Sequence, residues 1–395
     1  MDEKQKQKYL EAQPMWKIVA SQFAEHRMAV VGLIVILFFL SISAFAPIIS
    51  AITGLDPDEQ NVFNRYQPAF STVATSSINR ELAVERMLAN GKDYTALIDA
   101  AIAQNVLEYP TTREDVLYDM ATAVAPEVLL DELASFPQVE GLNDFIAVVG
   151  GFQKFHLLGT DELGRDVLIR LVYGTRVSIT VGLMVAFAAA FIGLIIGSLA
   201  GYYGGYLDAT LMRLTDALIS LPILVVLIVV SAIDLGNIIG GTPLSFIVGS
   251  DYESIFKMVF ILCLFSWMQV ARLVRGSILS IKEQEFIMAA KTLGARDSMI
   301  ILTHVVPNVI APLLVAVTLG IGNSILFEAA LSFLGLGIQP PTPSWGNMLF
   351  NAQEMVQHAP MLAILPGLLI LATVISFNFV GDGLQDAIDP KSIRR

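Results

Sequence analysis

Apolar residues along the 395-residue chain gather into six long runs, at 28–50, about 179–200, 211–233, 255–273, 309–334 and 361–380. Each is long enough, as a helix rising ~1.5 Å per residue, to cross ~30 Å of hydrocarbon. The pattern predicts six transmembrane helices. The first run follows a polar, basic segment, 1–27, that carries Lys4, Lys6, Lys8, Lys17 and Arg27. Ala44-Phe45-Ala46 has the form of a leader cleavage site, but Pro47 would follow the cut and the polar stretch before the run is too long for a leader. The run is therefore expected to stay as an anchor, with its basic flank in the cytoplasm.

A polar interruption at 280–308 separates the fourth and fifth runs. Ser280 with Glu283 has the form of a capping box, which predicts a helix start. Phe286, Ala289, Ala290 and Leu293 then share one helical face, and Gly294 stands where a left-handed C-terminal cap needs no Cβ. A second start at Asp297 leads to Pro307, expected to mark the entry to the fifth span. Arg272, Arg275, Lys282, Lys291 and Arg296 surround this loop, which places it in the cytoplasm and, with six spans, both termini with it. In the second run, Gly193, Gly197 and Gly201 follow Ala189 at four-residue spacing, a row that lets another helix approach closely.

Composition agrees with this class: 55% of residues are hydrophobic, 15% are charged and the mean hydropathy is +0.66. The net charge of −12 is unevenly spread, since 51–158 holds sixteen Asp and Glu against six Lys and Arg, a net of −10. Such a balance excludes nucleic acid as a partner. The acidic segment, 51–155, contains helix-like stretches at 78–89, 94–107, 113–124 and 127–134, and is expected to form a small helical domain outside the membrane. Its carboxylates read as a solvated face. The chain's single cysteine, Cys263, rules out an intrachain disulfide and reads as a small buried hydrophobe.

Ala289-Ala290, Gly294 and Pro307 together resemble the cytoplasmic loop of ABC importer permeases. Met288 takes the position usually held by glutamate, and the loop ends His304-Val305-Val306-Pro307. Three further stretches resemble the second permease subunit of the dipeptide and oligopeptide class: Gly159-Thr160-Asp161-Glu162-Leu163-Gly164-Arg165-Asp166; Glu328-Ala329-Ala330-Leu331-Ser332-Phe333-Leu334-Gly335-Leu336-Gly337 with the Pro-rich run into Trp345-Gly346; and Gly381-Asp382-Gly383-Leu384 with Asp389-Pro390. The likeness covers 1–68 loosely and 153–395 closely, and leaves out 70–152.

The resemblance implies an all-α integral membrane protein of the type I ABC importer permease fold. Spans two to six would form the core within 156–380, span one would wrap outside, and 381–395 would be a cytoplasmic tail. It also implies a bacterial or archaeal cytoplasmic membrane, with lipid around the spans, and a pore shared with a homologous permease subunit. Two cytoplasmic ATPase subunits and an extracytoplasmic solute-binding protein would complete the importer. ATP and Mg would sit on the ATPase subunits, with no cofactor on this chain. Coupling would fall to Glu285, Met288, Ala289, Ala290, Lys291, Gly294, Arg296 and Pro307. Peptides lead as substrates, although importers of nickel complexes, opines and oligosaccharides share the pattern.

No enzyme is legible in the residues. His26, His156, His304 and His358 lie outside the apolar runs, so they build no metal or catalytic cluster within the bilayer. Ser198 follows Gly197 directly and makes no nucleophile elbow. Gly91-Lys92 lacks the rest of a phosphate loop, so ATP must be hydrolysed elsewhere. Glu328 stands out, because a carboxylate near the end of a span costs up to ~3 kcal/mol and faces protein or water. It is a candidate for the gate or pore, against the plainer reading of a bond to a neighbouring helix. Asp216 and Gln269 read as structural, and Trp345 as part of a rigid external loop. Two alternatives from other classes are a secondary transporter, which commonly needs fused repeats and buried ion ligands, and an intramembrane hydrolase, which needs a serine with a buried base.

Overall fold

The computed structural model describes residues 15–61, 64–74, 153–233, 249–250 and 252–388. Contacts divide the chain into two units, Met1–Pro47 with Leu171–Arg395, and Ile48–Arg170. The helices are α1 (Met15–Glu25), α2 (Arg27–Thr53), α3 (Val167–Tyr203), α4 (Gly205–Ile219), α5 (Ile223–Ser231), α6 (Glu253–Ile281), α7 (Glu285–Thr292), α8 (Asp297–Phe333), α9 (Trp345–Ala352) and α10 (Met361–Ile388). Among the described residues five helices are long and apolar enough to cross a membrane, or six if the bent pair α4 and α5 is one span.

Helix stands at each of the six apolar runs, at the third as the bent pair, but several helices have bounds other than those of the runs. The second begins at Val167, because the Asp166 carboxyl caps α3 by accepting the Ile169 N–H at 2.7 Å and the apolar face continues through buried Ile169 and Leu171. The third is broken: α4 and α5 meet at 85°, with Pro222 extended between them. Proline lacks the N–H that a continuous helix needs at that point, and its ring crowds the preceding turn. The fourth and sixth run on to Ile281 and Ile388 because buried Val274 and Ile278, and then Gly381, Gly383 and Ala387, prolong their packed stripes. Part of the expected polar tail is thus helix, and 389–395 lie outside the described residues.

In the first unit, one core cluster joins Val181 and Val185 of α3, Leu227 of α5, Met258, Ile261 and Leu262 of α6, and Leu331 of α8. The row of small residues packs α3 onto α6: a Cβ on Gly193 would lie 2.6 Å from that of Val270, one on Gly197 2.6 Å from the Ala271 carbonyl oxygen, and one on Gly201 2.9 Å from the Ile278 Cβ. Contact this close is how helices associate where lipid offers no hydrophobic drive. On α2 only a narrow stripe, with Ala29, Gly32, Ile36 and Phe39, turns inward, and a Cβ on Gly32 would meet the Ser376 carbonyl oxygen of α10 at 2.6 Å. Its remaining apolar side chains, such as Ile34 and Phe38, are exposed, as suits a helix bathed in lipid.

The second unit departs from the helical expectation at its described ends. Strands β1 (Ser71–Ala74) and β2 (Gln153–His156) pair antiparallel, with Ser71 opposite His156. Strands this short carry too little alternation to stand out in the sequence. The helix-like stretches at 78–89, 94–107, 113–124 and 127–134 lie outside the described residues.

Candidate functional site

The loop after α6 contains two helix starts, but not where the serine and glutamate suggest. Ser280 sits in the last turn of α6, and α7 begins at Glu285 after an extended Gln284 that offers no side-chain cap. The capping box does not form because Ile278, inward and fully buried, holds the α6 turn in place, and the Lys282 N–H continues it to the Ile278 carbonyl at 2.9 Å. At the other end the expectation holds. Gly294 has φ +79, its N–H donates to the Lys291 carbonyl at 3.0 Å, and the Ala295 N–H reaches back to Ala290 at 3.1 Å. That double bond is a Schellman cap, which needs the left-handed residue that glycine supplies without strain.

The inward side chain of α7 is Ile287, fully buried among Tyr202, Val274, Ile278, Ile300, Val305 and Val309, with Ala290 packed at the edge. The apolar face of Phe286, Ala289, Ala290 and Leu293 is therefore turned outward except at Ala290. Fractional exposure is 45% at Phe286, 55% at Met288, 87% at Leu293, 58% at Met299 and 70% at Leu302. Helical periodicity alone cannot say which of two overlapping apolar faces is inner. The result is a run of large apolar side chains in solvent, with Glu285, Ala289, Lys291, Gly294 and Arg296 also exposed around them. Exposed apolar patches of this kind mark sites of contact with a protein or a membrane.

Pro307 stands, as expected, in the first positions of the α-helical stretch Val306–Phe333, although α8 as a whole is continuous from Asp297 through a wider π-helical turn at Ile301–Val305. Such a turn re-spaces the backbone bonds just ahead of a residue with no N–H to give. His304, taken above as lying outside the spans, falls within this turn, with its ring 6.4 Å from Phe286. Two arginines at the same end of α6 are matched by carboxylates of α4. Arg275 binds Asp208 through two nitrogens at 2.6 Å, and the Arg272 Nε donates to Asp216 at 2.9 Å. These pairs explain how charged residues continue a membrane-length helix.

Glu328 is enclosed by its own chain, with no exposed surface. The Ser178 hydroxyl of α3 donates to its carboxyl at 3.0 Å and the Ser332 hydroxyl at 2.8 Å. The Trp345 N–H in turn donates to the Ser178 oxygen at 3.3 Å, and the indole N–H to the Leu171 carbonyl at 3.3 Å. Of the two readings given to this carboxyl, gate or pore lining and a bond to a neighbouring helix, the geometry agrees with the second: it ties α3, α8 and α9 together, because a polar group at that depth must be satisfied by hydrogen bonds. The expected loop tryptophan likewise is buried at the start of α9.

In the second unit, 159–166 folds around Asp161. Its carboxyl accepts from the Leu163 and Arg165 backbone N–H groups, both at 2.9 Å, and from the Arg165 Nε at 2.7 Å, with the Arg170 Nε 3.4 Å away. Arg165 and Arg170 are almost wholly buried, and the Arg170 guanidinium also donates to the Pro57 carbonyl at 2.8 Å. His156 and Asp166 meet at 2.6 Å. Burial pushes the Glu162 carboxyl above the usual range, helped by the charge of Asp161 and opposed by Arg165. In the sequence Arg165 stood out only as part of the 159–166 stretch. The Asp161–Arg165 spacing of four was the available signal.

Two families match this sequence. The one described as binding-protein-dependent transport system inner membrane component matches residues 193–394, and the one described as the N-terminal TM domain of oligopeptide transport permease C matches 14–69. The dipeptide transport system permease protein DppC of Alkalihalophilus pseudofirmus is 40% identical over 236 residues, covering 60% of this chain and 72% of that one. The glutathione transport system permease protein GsiD of Shigella flexneri is 41% identical over 252 residues, covering 64% and 78%, and that of Escherichia coli 42% over the same shares. A solved methionine ABC transporter in inward-facing conformations has a TM-score of 0.42 and 19% identity, covering 56% of this chain and 98% of that one, too loose a likeness to build on.

Proposed function

The chain belongs to the family of binding-protein-dependent transport system inner membrane components, and on that premise we propose that it is one permease subunit of an ATP-driven importer of small peptides. The peptide class rests on what the similar dipeptide and glutathione permeases are named for. The chain lines the pore with a homologous permease. It receives substrate from an extracytoplasmic solute-binding protein and binds no cofactor itself. ATP and Mg act on two ATPase subunits at the cytoplasmic side, where 280–308 and both termini lie. Closure of the ATPases on ATP moves the loop, and the loop rocks the spans between inward and outward openings.

One observation carries the coupling role: α7 is anchored by buried Ile287 while Phe286, Met288 and Leu293 stand in solvent. A short helix held rigidly from one side, with an apolar opposite face, is suited to sit in a partner's groove. Since Met288 replaces an acid, shape and the exposed Lys291 and Arg296 set the fit. The test is Gly294→Trp. A left-handed conformation costs a side-chain-bearing residue ~1–2 kcal/mol, and the ring adds bulk to a closely apposed face. Copurification of the ATPase subunits with this chain should fall by about tenfold for each ~1.4 kcal/mol lost, and uptake with it. Undiminished assembly and uptake in this variant and in Ala290→Trp would overturn the reading.

A further inference from the structure

The last turn of α3 meets both helices of the loop through one side chain. The Tyr202 hydroxyl donates to the Asp297 carboxyl at the start of α8 at 2.6 Å, while the Lys291 ammonium of α7 lies 5.2 Å from the centre of the same ring. One residue earlier, the Gly201 carbonyl accepts from the Lys282 ammonium at 3.2 Å. The ring itself packs in the cluster with Ile287 and Ile300. Apolar contacts of this kind are non-directional and let packed helices slide. A short hydrogen bond and a cation over a ring fix both distance and angle.

The neighbouring contacts sharpen this. The α3 row at Gly193, Gly197 and Gly201 lies backbone-close to α6, so whatever moves the Tyr203 end of α3 also presses on α6. Without Tyr202, the described bond between the loop and α3 would be the one from Lys282, which sits at the end of α6 rather than on α7 or α8. Resting on the coupling role proposed above, we infer that Tyr202 is a positioning residue that makes the end of α3 follow the loop as one body during the ATP-driven motion. It touches neither ATPase nor substrate, and it acts through Asp297 and Lys291.

The experiment uses the whole assembled importer in lipid nanodiscs, with Cys263→Ser removing this chain's one native thiol and the labelled chain reacted before assembly with its partners. Spin labels go on Leu199→Cys of α3 and Ser298→Cys of α8, both exposed positions. The distance between labels is read in the nucleotide-free state and after trapping with ATP and vanadate. With Tyr202 present it is the same in both states. In Tyr202→Phe, which keeps the ring and loses only the hydroxyl, it shifts by more than ~2 Å, beyond ordinary helix adjustments. Asp297→Ala shifts likewise, whereas Asp297→Asn, which keeps an acceptor oxygen, stays with the parent. An unchanged distance in Tyr202→Phe, a shift already present in the parent, or loss of ATPase assembly in Tyr202→Phe would each overturn the inference. Failure of the docking reading is separate, because it shows as normal assembly in Gly294→Trp.

Discussion

Asp161→Ala is expected to destabilise the unit Ile48–Arg170 by about 3–5 kcal/mol, the cost of removing one partner from a buried ionic group. Arg165 and Arg170 are 2% and 1% exposed, and Asp161 is the carboxylate that the two share, 2.7 Å from the first and 3.4 Å from the second. Its removal strips the Arg165 Nε of its acceptor and leaves the Leu163 and Arg165 backbone N–H groups to find others. The turn is tied in place by backbone bonds, the Asn61 N–H donating to the Leu163 carbonyl and the Gly164 N–H to the Asp161 carbonyl, both at 3.0 Å. Hydrogen exchange of the amides at 163 and 165 in the full chain is the direct readout, with a loss of protection matching that free energy. Glu162→Ala serves as the comparison. Its side chain is 24% exposed and holds only one of the Arg165 nitrogens, so the expected loss is about 1 kcal/mol. Equal effects from the two variants would show that the arginines do not depend on Asp161.

Gly197→Leu should be nearly as damaging, for a steric rather than an electrostatic reason. A Cβ at 197 would lie 2.6 Å from the Ala271 carbonyl oxygen and 2.8 Å from the Val274 Cβ, and neither can turn away. The helices must separate along their length, which undoes the contacts of Val270, Val274 and Ile278 as well. About 3 kcal/mol is expected, at the upper end for over-packing. The thermal midpoint of the purified chain in detergent should fall accordingly. Gly276→Ala on α6, where an added Cβ meets nothing within 4 Å, should instead leave the midpoint unchanged or raise it by the helix propensity gained, ~1 kcal/mol at most. A Gly197→Leu chain that melts with the parent would mean α3 and α6 are not in this register.

These two sites also show what the sequence could and could not tell. The small-residue row was legible because its spacing alone says that a helix comes close, even though α6 could not be named as the partner. Span ends were less legible. Arg170, Arg272 and Arg275 break the apolar runs, and the carboxylates that allow them inside helices come from elsewhere in the chain, as with Asp208 and Asp216 on α4. Pro222 announced a break that hydropathy averaged over.

In the loop, Gly294 could be read, since a left-handed cap is a local matter. The Ser280 and Glu283 pair misled, because the same spacing occurs inside a helix that tertiary contacts prolong. Glu328 was visible as an outlier in an apolar run, but its partner Ser178 is 150 residues away, so its enclosure could only come from the fold. Tyr202 gave no signal at all, for a tyrosine at a span end is ordinary at a membrane interface.

The coupling role requires the loop at 280–308 to meet an ATPase. The most direct measurement places a photo-crosslinking phenylalanine analogue at Leu293, which is 87% exposed, and at Ile287, which is fully buried, in the assembled importer within membranes. Irradiation should join the ATPase subunit to the chain labelled at 293 and not to the chain labelled at 287. Adducts from 293 that contain only lipid or the solute-binding protein would contradict it.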